Sequence, residues 1–153
     1  MGTVASSELE IVEEIAACDH HLAVISTTRR DGSVQSSVVS AGILPHPVSG
    51  DPVIGFVTYG RAKLANLRDR PRATLVFRAG WRWVAVEGGC DLVGPDDPLA
   101  GVDPPAVAGL LRAVFRGAGG EHEDWDEYDR VMAVQRRAAV LVHPERVYSN
   151  PAP

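Results

Sequence analysis

The dipeptide Asp31-Gly32 is the feature that most constrains the fold, because it separates two runs that are rich in β-branched residues. Asp-Gly is typical of tight turns that need positive φ, and such a turn joins antiparallel neighbours. The runs on its two sides are HLAVISTT and VQSSVVSAGIL. We therefore predict a β-hairpin at this point and, with it, an antiparallel sheet.

Further apolar, β-branched runs predict the other strands: VIGFVT, RATLVF, WRWVAVEGGCDLV and AAVLVHPERVYS. With the hairpin they predict about six antiparallel strands, a number that tends to close into a barrel and so remove exposed edges. Helical patterns predict an N-terminal helix over 7–18 and a helical insertion over 104–136, before the last strand. A chain of 153 residues is expected to form one domain, 1–153.

Composition narrows the class of protein. A net charge of -5 argues against a nucleic-acid binder. No apolar run approaches the roughly 20 residues that cross a bilayer, and the first residues lack a signal-peptide pattern. The two cysteines, Cys18 and Cys90, fit a reducing compartment. We therefore expect a cytoplasmic protein that binds neither nucleic acid nor membrane.

A cluster of positive charge stands out in this acidic chain. The stretch YGRAKLANLRDRPRATLVF carries Arg61, Lys63, Arg68, Arg70 and Arg72. Thr58, Gly60, Arg61 and Lys63 fall where a predicted strand gives way to a predicted helix. The unpaired N–H groups of a helix N-terminus bind phosphate, and glycine lets the backbone approach an anion closely. A solvated basic helix face is the alternative, and the local sequence leaves both interpretations open.

Two other segments also have two interpretations. The run QSSVV, Gln35 to Val39, is either a strand with serines facing solvent or a strand edge that faces a flat heteroaromatic ring. Trp81 and Trp83 stand two residues apart, so a strand would place them on the same face. That face is either core or an aromatic contact with a ligand or a second subunit.

The sequence contains no recognisable catalytic or metal-binding motif. Consecutive residues such as His122, Glu123 and Asp124 point in different directions on a helix, so they do not converge on one ion. His20, His21 and His46 lack partners at metal-ligand spacing. We name no catalytic residue and no metal ligand, and an enzyme of this sequence must rely on a bound cofactor.

The order of motifs resembles a known family. DGSVQSS, GRAKLANLRDRPRATL, WRWVAVEG, GEHEDWDEY and RRAAVLVHPERVY follow one another along the chain. In this order they resemble the split-barrel flavin and deazaflavin oxidoreductases, the superfamily of pyridoxamine 5′-phosphate oxidase. They are most similar to its actinobacterial branch that uses coenzyme F420. The resemblance covers His21 to Tyr148. It implies a six-stranded antiparallel split β-barrel with short helices, and a homodimer with its cofactor sites at the interface.

The resemblance also implies roles for particular residues. Arg61 and Lys63, with the backbone of Gly60 and Ala62 beside Thr58, would hold the cofactor phosphate, and Asn66 would support that loop. The deazaflavin ring would contact Gln35, Ser36, Ser37 and Val38, together with Trp81 and Trp83 from the same or the partner subunit. Arg68, Arg70 and Arg72 would bind an acidic tail or pair with the acidic segment Glu121 to Asp129.

The function that the resemblance implies is hydride transfer from reduced F420 to an electron-poor small-molecule substrate. Two alternatives remain open. One is an FMN-dependent oxidase or reductase of the same fold. The other is a protein that binds a deazaflavin or a tetrapyrrole without turnover.

Overall fold

The computed structural model describes residues 4–151, so residues 1–3, 152 and 153 of the predicted domain lie outside it. Its helices are α1 (Ser6–Ala17), α2 (Arg61–Asp69), α3 (Val107–Gly117) and α4 (Trp125–Val134), with a 3₁₀ turn at Pro104–Ala106. Its strands are β1 (Leu22–Thr28), β2 (Val34–Ser40), β3 (Gly42–Pro45), β4 (Pro52–Thr58), β5 (Arg72–Ala79), β6 (Arg82–Val93), β7 (Ala138–Val142) and β8 (Arg146–Ser149). Within the described range, no helix is long and apolar enough to cross a membrane.

The predicted hairpin is confirmed. β1 and β2 pair antiparallel from Leu22 opposite Ser40 to Thr28 opposite Val34. Gly32 takes the positive φ of 88° that the turn requires. The carboxylate of Asp31 accepts a hydrogen bond of 2.9 Å from the backbone N–H of Ser33, which holds the turn closed.

The strands form one antiparallel sheet in the order β2-β1-β5-β6-β7-β4-β3, with β8 paired to β6. β6 is long: its residues Arg82 to Gly89 pair with β5, and β8 pairs within that part, while its last four residues pair with β7. It therefore belongs to both halves of the structure, as expected of a barrel that is split. The predicted class, mainly β with short helices, is confirmed.

The predicted number of strands is wrong, because the structure has eight rather than six. The run VQSSVVSAGIL breaks at Ala41, where the chain leaves β1 as its partner and takes β4 instead. The run AAVLVHPERVYS breaks at Pro144, between β7 and β8. Proline has no N–H for a sheet ladder, so the ladder is interrupted there.

Two apolar clusters form the core. The first lies inside the barrel around Phe56 and Phe77, and it receives Val12, Ile15 and Ala16 from α1. The second lies between the sheet and the helices α3 and α4. The two helices therefore cover one face of β4 and β7, next to the C-terminal end of β4.

Gly42 allows this packing. A Cβ at this position would lie 1.8 Å from the carbonyl oxygen of Gly117, at the end of α3. Only glycine permits the backbones to approach so closely. The approach fixes α3 against the sheet.

Candidate cofactor-binding site

A cavity of about 590 Å³ lies between the end of β4, the start of α2, the edge strand β2 and the helices α3 and α4. Four of the residues predicted to bind a cofactor contribute to its lining: Val38, Thr58, Gly60 and Lys63. The structure therefore brings a residue predicted to face the ring together with the residues predicted to hold a phosphate.

Lys63 is the most unusual side chain of the cavity. It is only 8% exposed, and its Nζ lies 3.4 Å from the hydroxyl oxygen of Thr58. No carboxylate of the described residues forms an ion pair with it, although buried lysines are normally paired. Burial lowers the pKa of Lys63, because an apolar environment disfavours the charged form. A buried cation without a counter-charge indicates a site for an anion.

Thr58 and the start of α2 supply further donors. The Thr58 hydroxyl oxygen accepts hydrogen bonds from the N–H of Gly60, at 3.1 Å, and from Lys63. With both of its lone pairs engaged, the hydroxyl has only its hydrogen left to offer. α2 begins at Arg61 with no side-chain cap on Gly60, so its first N–H groups have no partner within the helix. These groups are hydrogen-bond donors around one end of the cavity, which suits an acceptor such as phosphate.

Asn66 lies behind this helix and links it to the sheet. Its side-chain amide donates to the hydroxyl of Thr27 at 3.1 Å, and that hydroxyl donates to Gln35 Oε1 at 3.3 Å. Two residues predicted for the site, Asn66 and Gln35, are thus connected through a buried threonine on β1. Neither lines the cavity, so both contribute by holding the elements around it.

The other residues predicted to contact the ring take different positions. Side chains of a strand alternate between its faces, so four consecutive residues cannot all face one ring. Ser36 and Val38 therefore share the outer face of β2, where Val38 lines the cavity and the hydroxyl of Ser36 lies 2.9 Å from that of Ser26. Gln35 and Ser37 lie on the opposite face. The hydroxyl of Ser37 is buried and has no hydrogen-bond partner within the described chain.

The predicted pairing of two tryptophans on one strand face is wrong. Trp81 lies in the turn before β6, after Gly80 with its φ of 62°, and is 93% exposed. Trp83 lies on β6 and packs edge-on against Tyr148, with 6.1 Å between the ring centroids. Neither residue lines the cavity of this chain.

Arg61 and Ala62, which were predicted to help hold the phosphate, are exposed at the first turn of α2.

The remaining arginines of the basic stretch do not pair with the acidic segment Glu121 to Asp129. Arg68 forms two hydrogen bonds with Asp97, at 2.8 and 2.7 Å, and Arg72 lies 2.8 Å from Glu145. Arg70 donates to the carbonyl of Thr28 and lies near Asp69. The predicted pairing of these arginines with Glu121 to Asp129 is therefore wrong, since their partners come from other parts of the chain.

Sequence reasoning missed several residues of the cavity: Tyr59, Val114, Phe115, Tyr128, Met132 and Arg137. Most come from α3 and α4 and form an apolar wall opposite Lys63. The Tyr128 hydroxyl donates to the carbonyl of Leu111 at 3.0 Å, and burial raises the pKa of Tyr128 to about 12. It is therefore a poor proton donor.

The sequence did contain a signal for Arg137, because a pair of arginines directly precedes the apolar run AAVLV.

A second polar cluster lies away from the cavity. Three residues that are far apart in sequence meet here. The same carboxylate oxygen of Asp91 lies 2.9 Å from Nε2 of His46 and 2.8 Å from Nε2 of His143. Nδ1 of His46 accepts from the N–H groups of Val48 and Ser49. The His46 proton therefore sits on Nε2 and is donated to Asp91. A metal-bound imidazole has the opposite arrangement, with its second nitrogen donating, so this cluster is a hydrogen-bonded group.

Comparison with known proteins identifies the family. The family model described as pyridoxamine 5′-phosphate oxidase matches residues 10–150. The chain belongs to this family. The pyridoxamine 5′-phosphate oxidase fold is also that of a conserved hypothetical protein from Mycobacterium tuberculosis, which is 19% identical with a TM-score of 0.65, over 97% of this chain and 87% of that one.

Two further solved structures of similar fold have informative names. One is an F420 reductase, 19% identical with a TM-score of 0.60, over 95% of this chain and 98% of that one. The other is a pyridoxamine 5′-phosphate oxidase-related, FMN-binding protein from Nostoc punctiforme, 12% identical with a TM-score of 0.64, over 97% of this chain and 86% of that one. At these identities the likeness concerns the fold.

Proposed function

We propose that this member of the family is an F420-dependent oxidoreductase that passes a hydride from the reduced deazaflavin to an electron-poor small molecule. The observation that carries the proposal is Lys63, a buried cation at the start of α2 that has no carboxylate partner in the described part of the chain. F420 and FMN share a phosphate group on a chain attached to a flat ring. Lys63, Thr58 and the N–H groups of α2 are the groups that would hold that phosphate.

The opposite side of the cavity suits a ring. Val38, Val114, Phe115 and Met132 are apolar and would exclude water from one side of it. When bound, the reduced cofactor supplies the hydride. The protein contributes orientation and a dry environment, in which a fixed donor acts more strongly than in water. No histidine or carboxylate of the described residues lines the cavity, and we propose that solvent supplies the proton.

The assignment to F420 rests on likeness of sequence motifs, supported by a similar structure that is named an F420 reductase. An FMN-dependent oxidase or reductase is the second candidate, and the similar FMN-binding protein supports it. The structure weakens one argument for F420. Arg68, Arg70 and Arg72 already have acidic or carbonyl partners, so an acidic cofactor tail would have to meet Arg61 or Arg137 instead.

We also propose that the protein is a homodimer. One row of the outer sheet face is apolar on each strand that it crosses: Val38, Val24, Val76, Ala85 and Tyr148. Val24 is 44% exposed and Val38 62% exposed, which is unusual for neighbouring valines in a sheet. Val38 belongs both to this row and to the cavity lining. A second copy of the chain on this face would therefore cover the mouth of the cavity and bring Trp83 and Tyr148 towards it.

The test is a comparison of the two cofactors. Dissociation constants for F420 and FMN are measured by fluorescence for the unchanged protein, for Lys63→Met and for Arg72→Ala. We expect Lys63→Met to weaken F420 binding by about tenfold or more, as loss of a charge-assisted contact does, and Arg72→Ala to have a smaller effect. Consumption of reduced F420 with a nitroaromatic acceptor then tests turnover. Tighter binding of FMN, with FMN retained in stoichiometric amount on purification, would replace F420 by the second candidate.

A further inference from the structure

The pairing of β4 with β7 brings Arg137 to the proposed phosphate site. Thr58 lies opposite Ala138 in this ladder, and these are the last residues of the pairing at that end. Tyr59 directly follows β4 and Arg137 directly precedes β7, and the guanidinium carbon of Arg137 lies 4.2 Å from the centre of the Tyr59 ring. Both line the same cavity as Lys63. Arg137 therefore stands at the start of α2, although the two are far apart in sequence.

Arg137 differs from its neighbour Arg136, because among the residues that the structure describes it has no acidic partner. Arg136 forms a two-pronged ion pair with Asp96 on the surface. Arg137 donates through Nε to the side chain of Gln135 at 2.7 Å, and no carboxylate within residues 4–151 forms an ion pair with it. Its terminal NH₂ groups remain available, and these are the groups that bind an anion in a forked geometry.

The cavity therefore contains two cations, Lys63 and Arg137, and its described lining includes no carboxylate. Two like charges in a partly buried site repel each other. A phosphate diester carries one negative charge, which would neutralise only one of them. A ligand with two negative charges would neutralise both.

We propose that Arg137 is a specificity-determining residue that binds the second negative charge of the ligand. The inference rests on the proposed function, in which Lys63 binds the phosphate. It states the ligand class more narrowly: a flat ring whose side chain carries at least two negative charges near the ring. A phosphate monoester meets this requirement in FMN, and a phosphate diester followed by a carboxylate meets it in F420. A ring without phosphate does not.

The experiment compares each cofactor with its uncharged form. Dissociation constants are measured for FMN against riboflavin, and for F420 against the deazaflavin that keeps only its ribityl chain. For each pair, the dissociation constant of the uncharged form is divided by that of the charged cofactor. This ratio reports how much the charges strengthen binding, because the contribution of the ring cancels. The variants are Arg137→Gln, Arg137→Lys and Lys63→Met, with Arg136→Gln as the matched control. Circular dichroism and thermal melting establish that each variant is folded.

We expect Arg137→Gln to reduce the ratio by roughly ten- to a hundredfold for the cofactor that the protein uses. Arg137→Lys, which keeps the charge, should retain part of the ratio, and Arg136→Gln should retain all of it. If Lys63→Met reduces the ratio while Arg137→Gln leaves it unchanged, the role of Arg137 is wrong and the proposed function stands. If neither variant changes the ratio, the proposed phosphate site itself is wrong.

Discussion

The side-chain amide of Asn66 donates to the buried hydroxyl of Thr27 at 3.1 Å, and this hydrogen bond joins α2 to the C-terminal end of β1. Thr27 is 3% exposed and Asn66 9% exposed, so water has little access to replace the bond. The helix that carries Lys63 is therefore held against the barrel by a polar contact inside an apolar setting. A partner lost there leaves a buried group unsatisfied.

Thr27→Val tests this connection. Valine keeps the shape of threonine but leaves the Asn66 amide without its acceptor, which should reduce the free energy of unfolding by about 1–3 kcal/mol. Cofactor affinity should fall with it, because the position of α2 is less well defined. Urea unfolding and fluorescence titration measure the two effects. Thr27→Ser keeps the hydroxyl and should retain most of both the stability and the affinity. A Thr27→Val variant as stable as the unchanged protein would contradict the prediction.

Lys63→Met should stabilise the free protein while it weakens cofactor binding. Between the lowered pKa of Lys63 and its ordinary value of 10.5, the unfolded chain binds more protons than the folded chain. The free energy of unfolding therefore rises with pH through that window, and at neutral pH the charged form of Lys63 destabilises the folded protein. Removing the charge should add about 0.5–2 kcal/mol, as substitutions at sites that favour function over stability often do. Urea unfolding at neutral pH measures it, and a less stable variant would contradict the prediction.

Gly42→Ala should be strongly destabilising. Its Cβ would collide with the carbonyl oxygen of Gly117, and backbone on both sides leaves little room to move. We expect a loss of about 1–3 kcal/mol or more in urea unfolding. Gly109→Ala is the matched control, because this exposed residue of α3 has nothing within 4 Å of a new Cβ. It should gain about 0.5–1 kcal/mol from higher helix propensity.

The cluster of His46, Asp91 and His143 should make the protein sensitive to acid. Burial tends to raise the pKa of Asp91, but hydrogen bonds from His143 and His46 outweigh it and the net pKa is below 3.8. The stabilisation is therefore complete above 3.8 and is lost as the pH falls through the lower, folded-state value. Asp91→Asn should remove stability of the order of 1 kcal/mol at neutral pH and flatten the acid limb of a stability curve. Asp96→Asn, which breaks an exposed ion pair with Arg136, should change the curve less.

Val24→Lys tests the proposed dimer. Val24 is an exposed member of the apolar row beside Val38, and a charge there should oppose association by a second copy. Light scattering at micromolar concentration should give about twice 16.3 kDa for the unchanged chain and about that mass for the variant. Val134→Lys is the matched control, since this exposed valine at the end of α4 lies outside the row. A monomeric unchanged protein that binds its cofactor tightly would refute the shared site.

The sequence by itself determined the local features of this protein. The Asp31-Gly32 turn, the alternating runs and the helix formers of α2 act over a few residues, so their pattern was enough to predict the hairpin and the antiparallel class. The same holds for the junction of Thr58, Gly60 and Lys63, which is continuous in sequence. The strand number was wrong because Ala41 changes partner strand, and partner choice is not a local property.

Only the tertiary structure decided which distant residues complete the site. Through the pairing of β4 with β7, Arg137 comes to line the same cavity as Lys63. The apolar wall of Phe115 and Met132 is contributed by helices that Gly42 allows to pack against the sheet. The tertiary structure also decided which positively charged side chains form ion pairs and which do not. Arg68 and Lys63 both carry a positive charge, yet Asp97 neutralises the first, while the second is buried with no carboxylate partner among residues 4–151. Such pairing depends on long-range packing, which sets the charge that a ligand meets.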